Sequence, residues 1–141
     1  MKVVLDTNII VSGLLQPKGN PAQALQLALA GAVQACYDSR MLDEYKEVLA
    51  RPRLKLDQQR AREVLRKLET DGLSMETAGN EELELPDSDD EPFLAVALAA
   101  RADYLVTGNL KHYPAAKRKD CKVVSPAEFM RIWSKLSGTS A

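Results

Sequence analysis

The sequence predicts an α/β fold in which helices cover both faces of a parallel sheet, giving a three-layer α/β/α sandwich. Short apolar runs that end at polar or turn residues, such as Lys2–Asp6 and Tyr104–Thr107, indicate buried strands. Helical segments separate most of the strands, and this alternation is typical of a parallel sheet. The 141 residues suffice for one domain with a sizeable core. We assign residues 1–136 to that domain and expect a flexible tail over residues 137–141.

Weaker apolar runs complete the predicted sheet, and caps and stops define the helices. Val33–Tyr37 and Lys122–Ser125 are further candidate strands, and Leu73–Thr77 is expected at an edge. Helices begin after capping residues or at proline, and they end at glycine or before proline. The predicted order is strand, two helices, strand, two helices, edge strand, helix, two strands, helix. The helices with clear boundaries are Pro21–Ala30, capped by Asn20; Arg40–Ala50, capped by Ser39; Gln58–Asp71, capped by Asp57; Pro92–Arg101; and Pro126–Leu136, begun by Ser125.

Composition excludes several classes of protein. A net charge of −1 argues against a protein that coats nucleic acid by bulk electrostatics, although a local basic patch remains compatible. Cys36 and Cys121 match no metal-ligand spacing, which favours free thiols in a reducing, cytoplasmic setting. We expect no signal peptide, because Asp6 interrupts the short first apolar run. No apolar stretch approaches the roughly 20 residues that span a bilayer.

Acidic side chains are expected to meet at one edge of the sheet. Asp6 ends the first strand, and ligands of parallel α/β sheets bind at the carboxyl ends of the strands. Glu44 lies in the second turn of a helix that starts at that edge, and helical spacing turns it inward while Asp43 points away. The helix that begins at Pro92 brings its preceding acids to the same edge. Gly108 and Asn109 leave the strand that should neighbour the first one.

Clustered carboxylates favour a metal-dependent nuclease. Such groups repel one another and lose hydration unless a cation neutralises them or some take up protons. Hard oxygen ligands favour Mg²⁺ or Mn²⁺ over Zn²⁺ and suit metal-assisted attack of water on a phosphodiester. Each residue alone has a simpler explanation: Asp6 as a turn cap, Glu44 as a solvated helix charge, the acids before Pro92 as helix caps, and Asn109 as a turn residue. Their convergence carries the hypothesis.

Several segments resemble a PIN domain, most closely the bacterial toxins of toxin–antitoxin modules akin to VapC-type ribonucleases. These segments are MKVVLDTNIIVSGLL, MLDEYKEVLARPRL, and DSDDEPFLAVALAARADYLVTGN followed by KHYP, and they cover nearly the whole chain in the expected order. The resemblance implies a five-stranded parallel sheet of order 3-2-1-4-5. It also implies cleavage of single-stranded RNA that depends on Mg²⁺ or Mn²⁺.

The resemblance assigns roles to individual residues. The first family acid corresponds to Asp6 and the helical one to Glu44, whereas the third falls on Asp90 or Glu91, between which the sequence does not choose. The fourth position, often an Asp, is Asn109 here, which removes a negative charge and makes tight binding of a second metal less certain. The acids are the expected metal ligands and, with Asn109, the catalytic set. Polar residues expected to support them are Thr7, Asn8 and Thr107.

The substrate and partners follow from the same resemblance. RNA phosphates could be held by local basic residues; the best candidates are Lys111 and His112, which leave the site edge directly, and Arg51 and Arg53 are further candidates. The helices Pro21–Ala30 and Gln58–Asp71 could form a homodimer interface or accept an antitoxin peptide, and their apolar stripes are equally well explained as core. One rival hypothesis is a PIN-like RNA- or protein-binding module with a degenerate site, which Asn109 favours. A receiver-type phosphoryl-transfer domain is disfavoured, because Asp6 lacks a second acid beside it.

Overall fold

A computed structural model of the chain describes residues 1–76 and 83–138. One five-stranded sheet runs through the molecule in the order β3-β2-β1-β4-β5, and every adjacent pair of strands is parallel. The predicted fold class and strand order are therefore confirmed. The strands are β1 (Lys2–Leu5), β2 (Gln34–Tyr37), β3 (Leu73–Ser74), β4 (Tyr104–Val106) and β5 (Val123–Val124).

Six α-helices lie in the described part of the chain, and none of them is long and apolar enough to cross a membrane. The predicted order of strands and helices is confirmed. The sequence predicted two helices between the first two strands, but it predicted residue boundaries only for the second helix. The helices are α1 (Thr7–Leu15), α2 (Asn20–Leu29), α3 (Ser39–Leu49), α4 (Gln58–Asp71), α5 (Glu91–Ala100) and α6 (Pro126–Leu136).

Two predicted helix caps are wrong. Asp38, not Ser39, caps α3: its buried carboxylate accepts a hydrogen bond of 3.0 Å from the amide of Met41. Gly19 rather than Asn20 is the N-cap of α2, and no side chain caps that helix. By contrast, Asp57 caps α4 as the sequence predicted: its carboxylate accepts hydrogen bonds from the amides of Gln59 and Arg60 in the first turn.

Strand boundaries are shorter than the apolar runs suggested, because polar residues at the ends begin helices or turns. Asp6 lies at the N-cap position of α1 instead of in β1. The edge strand β3 ends at Ser74, and Thr77, which the sequence placed in that strand, lies outside the described residues. The predicted tail over residues 137–141 is described only as far as Gly138.

The core lies along the centre of the sheet. Val3, Val4 and Leu5 of β1 and Leu105 and Val106 of β4 are at most 1% exposed. Burial of each such side chain contributes about 1.5–3 kcal/mol, so the pair of central strands is strongly held in register. This register determines which polar residues meet just beyond the strand ends.

Candidate active site

The paired ends of β1 and β4 bring Asp6 and Thr107 together. Leu5 pairs with Val106, and the amide of Asp6 donates a hydrogen bond of 3.0 Å to the carbonyl of Val106. The next residue in each chain segment therefore lies at the same edge. Asp6 is 4% exposed and Thr107 is fully buried, which is unusual for polar side chains and requires that both find partners.

Two hydroxyl groups orient the carboxylate of Asp6. The Oγ1 atom of Thr107 donates to Oδ2 at 2.9 Å, and the hydroxyl of Tyr113 donates to the same oxygen at 3.1 Å. Burial raises the pKa of Asp6, while these hydrogen bonds oppose that rise because they favour the ionised form. Asp6 is thus a buried carboxylate that two hydrogen bonds hold in one orientation.

Glu44 joins Asp6 from the facing helix α3. Its carboxylate accepts a hydrogen bond from the hydroxyl of Thr7, the residue that follows Asp6. Burial raises the pKa of Glu44, and the charges of Asp6 and Asp89 raise it further. Glu44 is partly buried whereas Asp43 is exposed, as helical spacing predicted.

The structure separates the two candidates for the third acidic position. Burial and then the charge of Asp6 raise the pKa of Asp90 to about 6, and Glu44 contributes to the same rise. The Oε2 atom of Glu91 instead accepts a hydrogen bond of 3.3 Å from the amide of Leu85 in the preceding segment. The charges of Asp6 and Glu44 therefore act on Asp90, whereas the carboxylate of Glu91 is bonded to the preceding segment.

His112 contacts Asp90 at the rim of the cluster. Its Nδ1 atom lies 2.9 Å from Oδ2 of Asp90, and the side chains are 41% and 13% exposed. The distance alone would suggest a hydrogen bond. However, Oδ2 of Asp90 is buried and accepts no hydrogen bond from the described residues. The contact is therefore a close approach of the two atoms and not a directed hydrogen bond.

The loop after β4 is anchored by polar side chains from both segments. The amide of Gly108 donates to Oδ1 of Asn8 at 2.9 Å, and the amide of Asn109 donates to Oγ1 of Thr107 at 3.1 Å. The Nδ2 atom of Asn8 lies 3.5 Å from the same Thr107 oxygen, which is a weak contact. Asn109 is partly buried and begins a short 3₁₀ turn, Leu110–His112, that leads to Tyr113.

Sequence reasoning missed Tyr113 and Asp87, whereas it had brought Asp89 to this edge with the other acids before Pro92. Tyr113 is fully buried, yet nothing in the KHYP segment indicated that its hydroxyl would reach a residue 107 positions away. Asp87 raises the pKa of Asp90, and Asp89 raises that of Glu44, both after the larger effect of burial. The acidic DSDDE segment was the available signal for these two residues.

The donor set suits a hard divalent cation with water in part of its coordination shell. Within residues 1–76 and 83–138, no three acidic, histidine or cysteine side chains already stand close enough to enclose a metal ion by themselves. Mg²⁺ commonly uses one or two carboxylates and keeps several water molecules, so a complete protein cage is not required. The residues that would hold the ion are Asp6, Glu44 and Asp90; burial raises the pKa of each, and the charge of Asp6 raises the pKa of the other two further.

The basic residues expected to hold substrate differ in their surroundings. Arg51 pairs with Glu47 at 2.8 Å, and its charge opposes the burial-driven rise in the pKa of Glu44. Arg53 and Lys111 are exposed, whereas His112 is engaged with Asp90. Lys111 follows Asn109 by two residues in the chain, and its side chain is exposed to solvent.

Comparisons with known proteins agree with the fold described above. Residues 2–111 match the sequence model of the PIN domain. The backbone is similar to a chain in the crystal structure of VapBC2 from Rickettsia felis bound to a DNA fragment from their promoter, with a TM-score of 0.61 and 18% identity, covering 89% of this chain and 98% of that one. A chain in the structure of FitAB bound to an IR36 DNA fragment has a TM-score of 0.57 and 19% identity, covering 88% and 94%. No curated protein matches the chain in sequence.

Proposed function

The chain belongs to the PIN domain family, and from this premise we propose that it is a metal-dependent endoribonuclease that hydrolyses phosphodiester bonds in single-stranded RNA. PIN domains are generally nucleases. The observation that carries the proposal is the convergence of Asp6, Glu44 and Asp90, from three separate segments, at the carboxyl edge of the sheet. The charge of Asp6 raises the pKa of both Glu44 and Asp90, after the larger effect of burial, which supports their proximity.

The residues of this chain would each perform a definite task. Asp6, Glu44 and Asp90 would hold Mg²⁺ or Mn²⁺, which when bound polarises the phosphoryl group and lowers the pKa of water. Thr107 and Tyr113 keep the Asp6 carboxylate in one orientation through their hydrogen bonds to Oδ2. Outer hydrogen bonds of this kind orient ligands and strengthen metal sites.

Single-stranded RNA would be held by local positive charge. Lys111 and Arg53 are exposed, and Arg51 lies close enough to Glu44 to affect its pKa after burial has set the larger rise. With His112, these residues give a basic margin to a chain whose net charge is only −1. Contacts to the backbone phosphates position a substrate without reading its sequence.

We further propose that the protein is the toxin of a toxin–antitoxin pair. The similar structures are of VapBC2 and FitAB complexes, and this chain has a groove of about 570 Å³ between α2 and α4, away from the acidic cluster. Its floor is partly apolar and its rim is charged, which suits a protein segment; lining residues include Gln26, Leu29, Arg60, Val64 and Lys67. The same helices could alternatively form a homodimer. A cytoplasmic location fits the two free, buried cysteines.

A cleavage assay with a matched substitution tests the nuclease proposal. Purified wild type and Asp6→Asn are incubated with mixed single-stranded RNA in Mn²⁺, Mg²⁺ or Ca²⁺, and with duplex RNA and single-stranded DNA as comparison substrates. We expect wild type to cleave single-stranded RNA with Mn²⁺ or Mg²⁺, and Asp6→Asn to be inactive. If the two proteins are indistinguishable and neither cleaves, the nuclease proposal is wrong.

Asn109 favours a second candidate, a PIN-like module that binds RNA or protein without cleaving. An amide in place of an acid lowers the charge available to hold a cation. This candidate predicts that wild type binds single-stranded RNA in a gel-shift assay with no cleavage at any Mn²⁺ concentration. Cleavage that disappears in Asp6→Asn excludes it.

A further inference from the structure

Two adjacent residues of α3 bond the two residues that flank Asp6. The carboxylate of Glu44 accepts a hydrogen bond from the hydroxyl of Thr7, which is the first residue of α1. The hydroxyl of Tyr45 donates a hydrogen bond to the carbonyl of Leu5, which is the last residue of β1. Helix α3 therefore holds the chain on both sides of the first carboxylate.

The two links differ in the groups that form them. The link to Thr7 uses the carboxylate of Glu44, so it shares its acceptor with any cation that binds at the site. The link from Tyr45 joins a side-chain hydroxyl to a backbone carbonyl, and neither group is an acid of the cluster. The second link therefore persists whether or not a cation and RNA are bound.

Tyr45 is buried in a way that keeps its hydroxyl a donor. The residue is 3% exposed, and burial, followed by the charges of Asp6 and Glu44, raises its pKa well above the usual range. The hydroxyl is thus protonated at every accessible pH. The effect of both charges agrees with a ring that lies close to the two acids.

The ring of Tyr45 also contacts a third element, α5. Its centroid lies 6.2 Å from that of Phe93, with the ring planes inclined by 50°. Aromatic pairs favour centroid separations of about 4.5–7 Å. Phe93 is 1% exposed, lies in the first turn of α5 and follows Asp90 by three residues. One side chain thus connects the three segments that carry the acids of the site.

On the basis of the proposed nuclease function, we propose that Tyr45 is a positioning residue, which sets the spacing of the three acid-bearing segments through its bond to the Leu5 carbonyl and its packing on Phe93. Within residues 1–76 and 83–138, no group of three acidic, histidine or cysteine side chains already encloses a cation. The spacing of the segments therefore decides how readily their carboxylates gather around one. Tyr45 acts through those carboxylates and not on the RNA.

Tyr37 provides a matched control. Its ring is 7% exposed and its hydroxyl donates to the carbonyl of Glu69 at 2.7 Å, which links β2 to α4, a helix that carries none of the three acids. Tyr45→Phe and Tyr37→Phe each remove one hydroxyl–carbonyl bond from a buried ring. We expect both to lower the Tm of the metal-free protein by a similar amount, about 2–4 °C.

Mn²⁺ affinity separates a positioning role from this shared loss of stability. Binding to the full chain at pH 7.5 is followed by the electron paramagnetic resonance signal of free Mn²⁺. We expect the dissociation constant to rise about 10-fold in Tyr45→Phe and to stay within about twofold of wild type in Tyr37→Phe. Single-turnover cleavage of single-stranded RNA at subsaturating Mn²⁺ should slow in the same order, whereas RNA binding in Ca²⁺ should be equal in all three proteins.

Each outcome decides between the two proposals. Equal Mn²⁺ affinity in Tyr45→Phe and wild type would overturn the positioning role and leave the nuclease proposal intact. Equal weakening in both variants would also overturn it, because a loosened core would then explain the loss. A wild type that neither binds Mn²⁺ nor cleaves RNA would overturn both proposals. Should circular dichroism show that Tyr45→Phe is unfolded, Phe93→Leu removes the ring pair instead, and an unchanged dissociation constant there would contradict the inference.

Discussion

Replacement of Tyr113 by phenylalanine is the most informative perturbation of the site. The ring is fully buried and its hydroxyl donates to Oδ2 of Asp6 at 3.1 Å, so Tyr113→Phe removes one hydrogen bond without leaving a large cavity. Burial, and then the nearby acids, raise the pKa of Tyr113 far above its usual range, so the hydroxyl donates at every accessible pH. A hydrogen bond to a charged group contributes about 1.5–3 kcal/mol.

We expect Tyr113→Phe to lower the free energy of unfolding by about 2 kcal/mol at pH 7.5, which corresponds to roughly 4–8 °C in Tm. The loss depends on pH in a definite direction. The hydroxyl favours ionised Asp6, so its removal raises the already elevated pKa of that carboxyl. The destabilisation is therefore full above this pKa and shrinks as the pH falls through it, where Asp6 is protonated in both proteins.

Urea denaturation of metal-free protein between pH 4 and 8 measures this difference. Tyr104→Phe is the matched control, since the Tyr104 ring packs edge-on against Phe129 and its hydroxyl lies outside the acidic cluster. A loss below about 0.5 kcal/mol, or one of equal size at both ends of the pH range, would refute the role of the Tyr113 hydrogen bond.

Three further predictions concern the metal-free protein. Asp90→Asn should stabilise it by about 1–2 kcal/mol at pH 7.5 in EDTA. The pKa of Asp90 is raised to about 6, so the folded protein loses stability as the pH rises through that value and the carboxyl ionises. Partial exposure of Asp90 to solvent makes this loss smaller than the pKa shift alone would give. Gly72→Ala should cost about 1–3 kcal/mol in urea denaturation, since a Cβ there would lie 2.4 Å from the Leu68 carbonyl oxygen and 2.6 Å from that of Ala35. Cys121, whose pKa burial raises to about 11, should react slowly with Ellman's reagent at pH 8 and rapidly in guanidinium.

Simple controls accompany these measurements. The stability gained by Asp90→Asn should vanish near pH 4. Asp87 is an exposed acid, so Asp87→Asn should stabilise the protein much less. Equal stabilisation by the two variants would contradict the prediction. Gly31 has a φ of +78° and open space around it, so Gly31→Ala tests backbone strain without a clash. A Gly72→Ala protein as stable as wild type would refute the clash. Fast labelling of native Cys121 would contradict its burial.

The sheet and part of the site were predictable because they depend on local periodicity. The apolar runs around Val4 and Leu105 occupy adjacent strands, and their shared register brings Asp6 and Thr107 to one edge. Helical spacing correctly turned Glu44 inward, because a residue beside a buried stripe must face the core. These are properties that a few neighbouring residues determine.

The remaining details depend on contacts between distant segments. The carboxylate of Glu91 accepts a hydrogen bond from the amide of Leu85. No local sequence pattern distinguishes that arrangement from one in which Glu91 and Asp90 exchange roles. Asp38 rather than Ser39 caps α3 because its buried carboxylate also pairs with Arg40. Tyr113 reaches Asp6 only because the loop from Thr107 to Tyr113 folds back over the strand ends. Such contacts require the tertiary structure.

The central claim is that the inward acids of this edge carry out metal-dependent RNA cleavage. Glu44 and Asp43 are adjacent on α3, one bonded to Thr7 at the site and the other exposed. We predict that Glu44→Gln slows single-turnover cleavage of single-stranded RNA in Mn²⁺ by about 100-fold or more, since even residues that only orient metal ligands affect affinity or activity by about 10–100-fold. Asp43→Asn should cleave at the wild-type rate. Equal rates for the two variants, or no cleavage by the wild type, would contradict the claim.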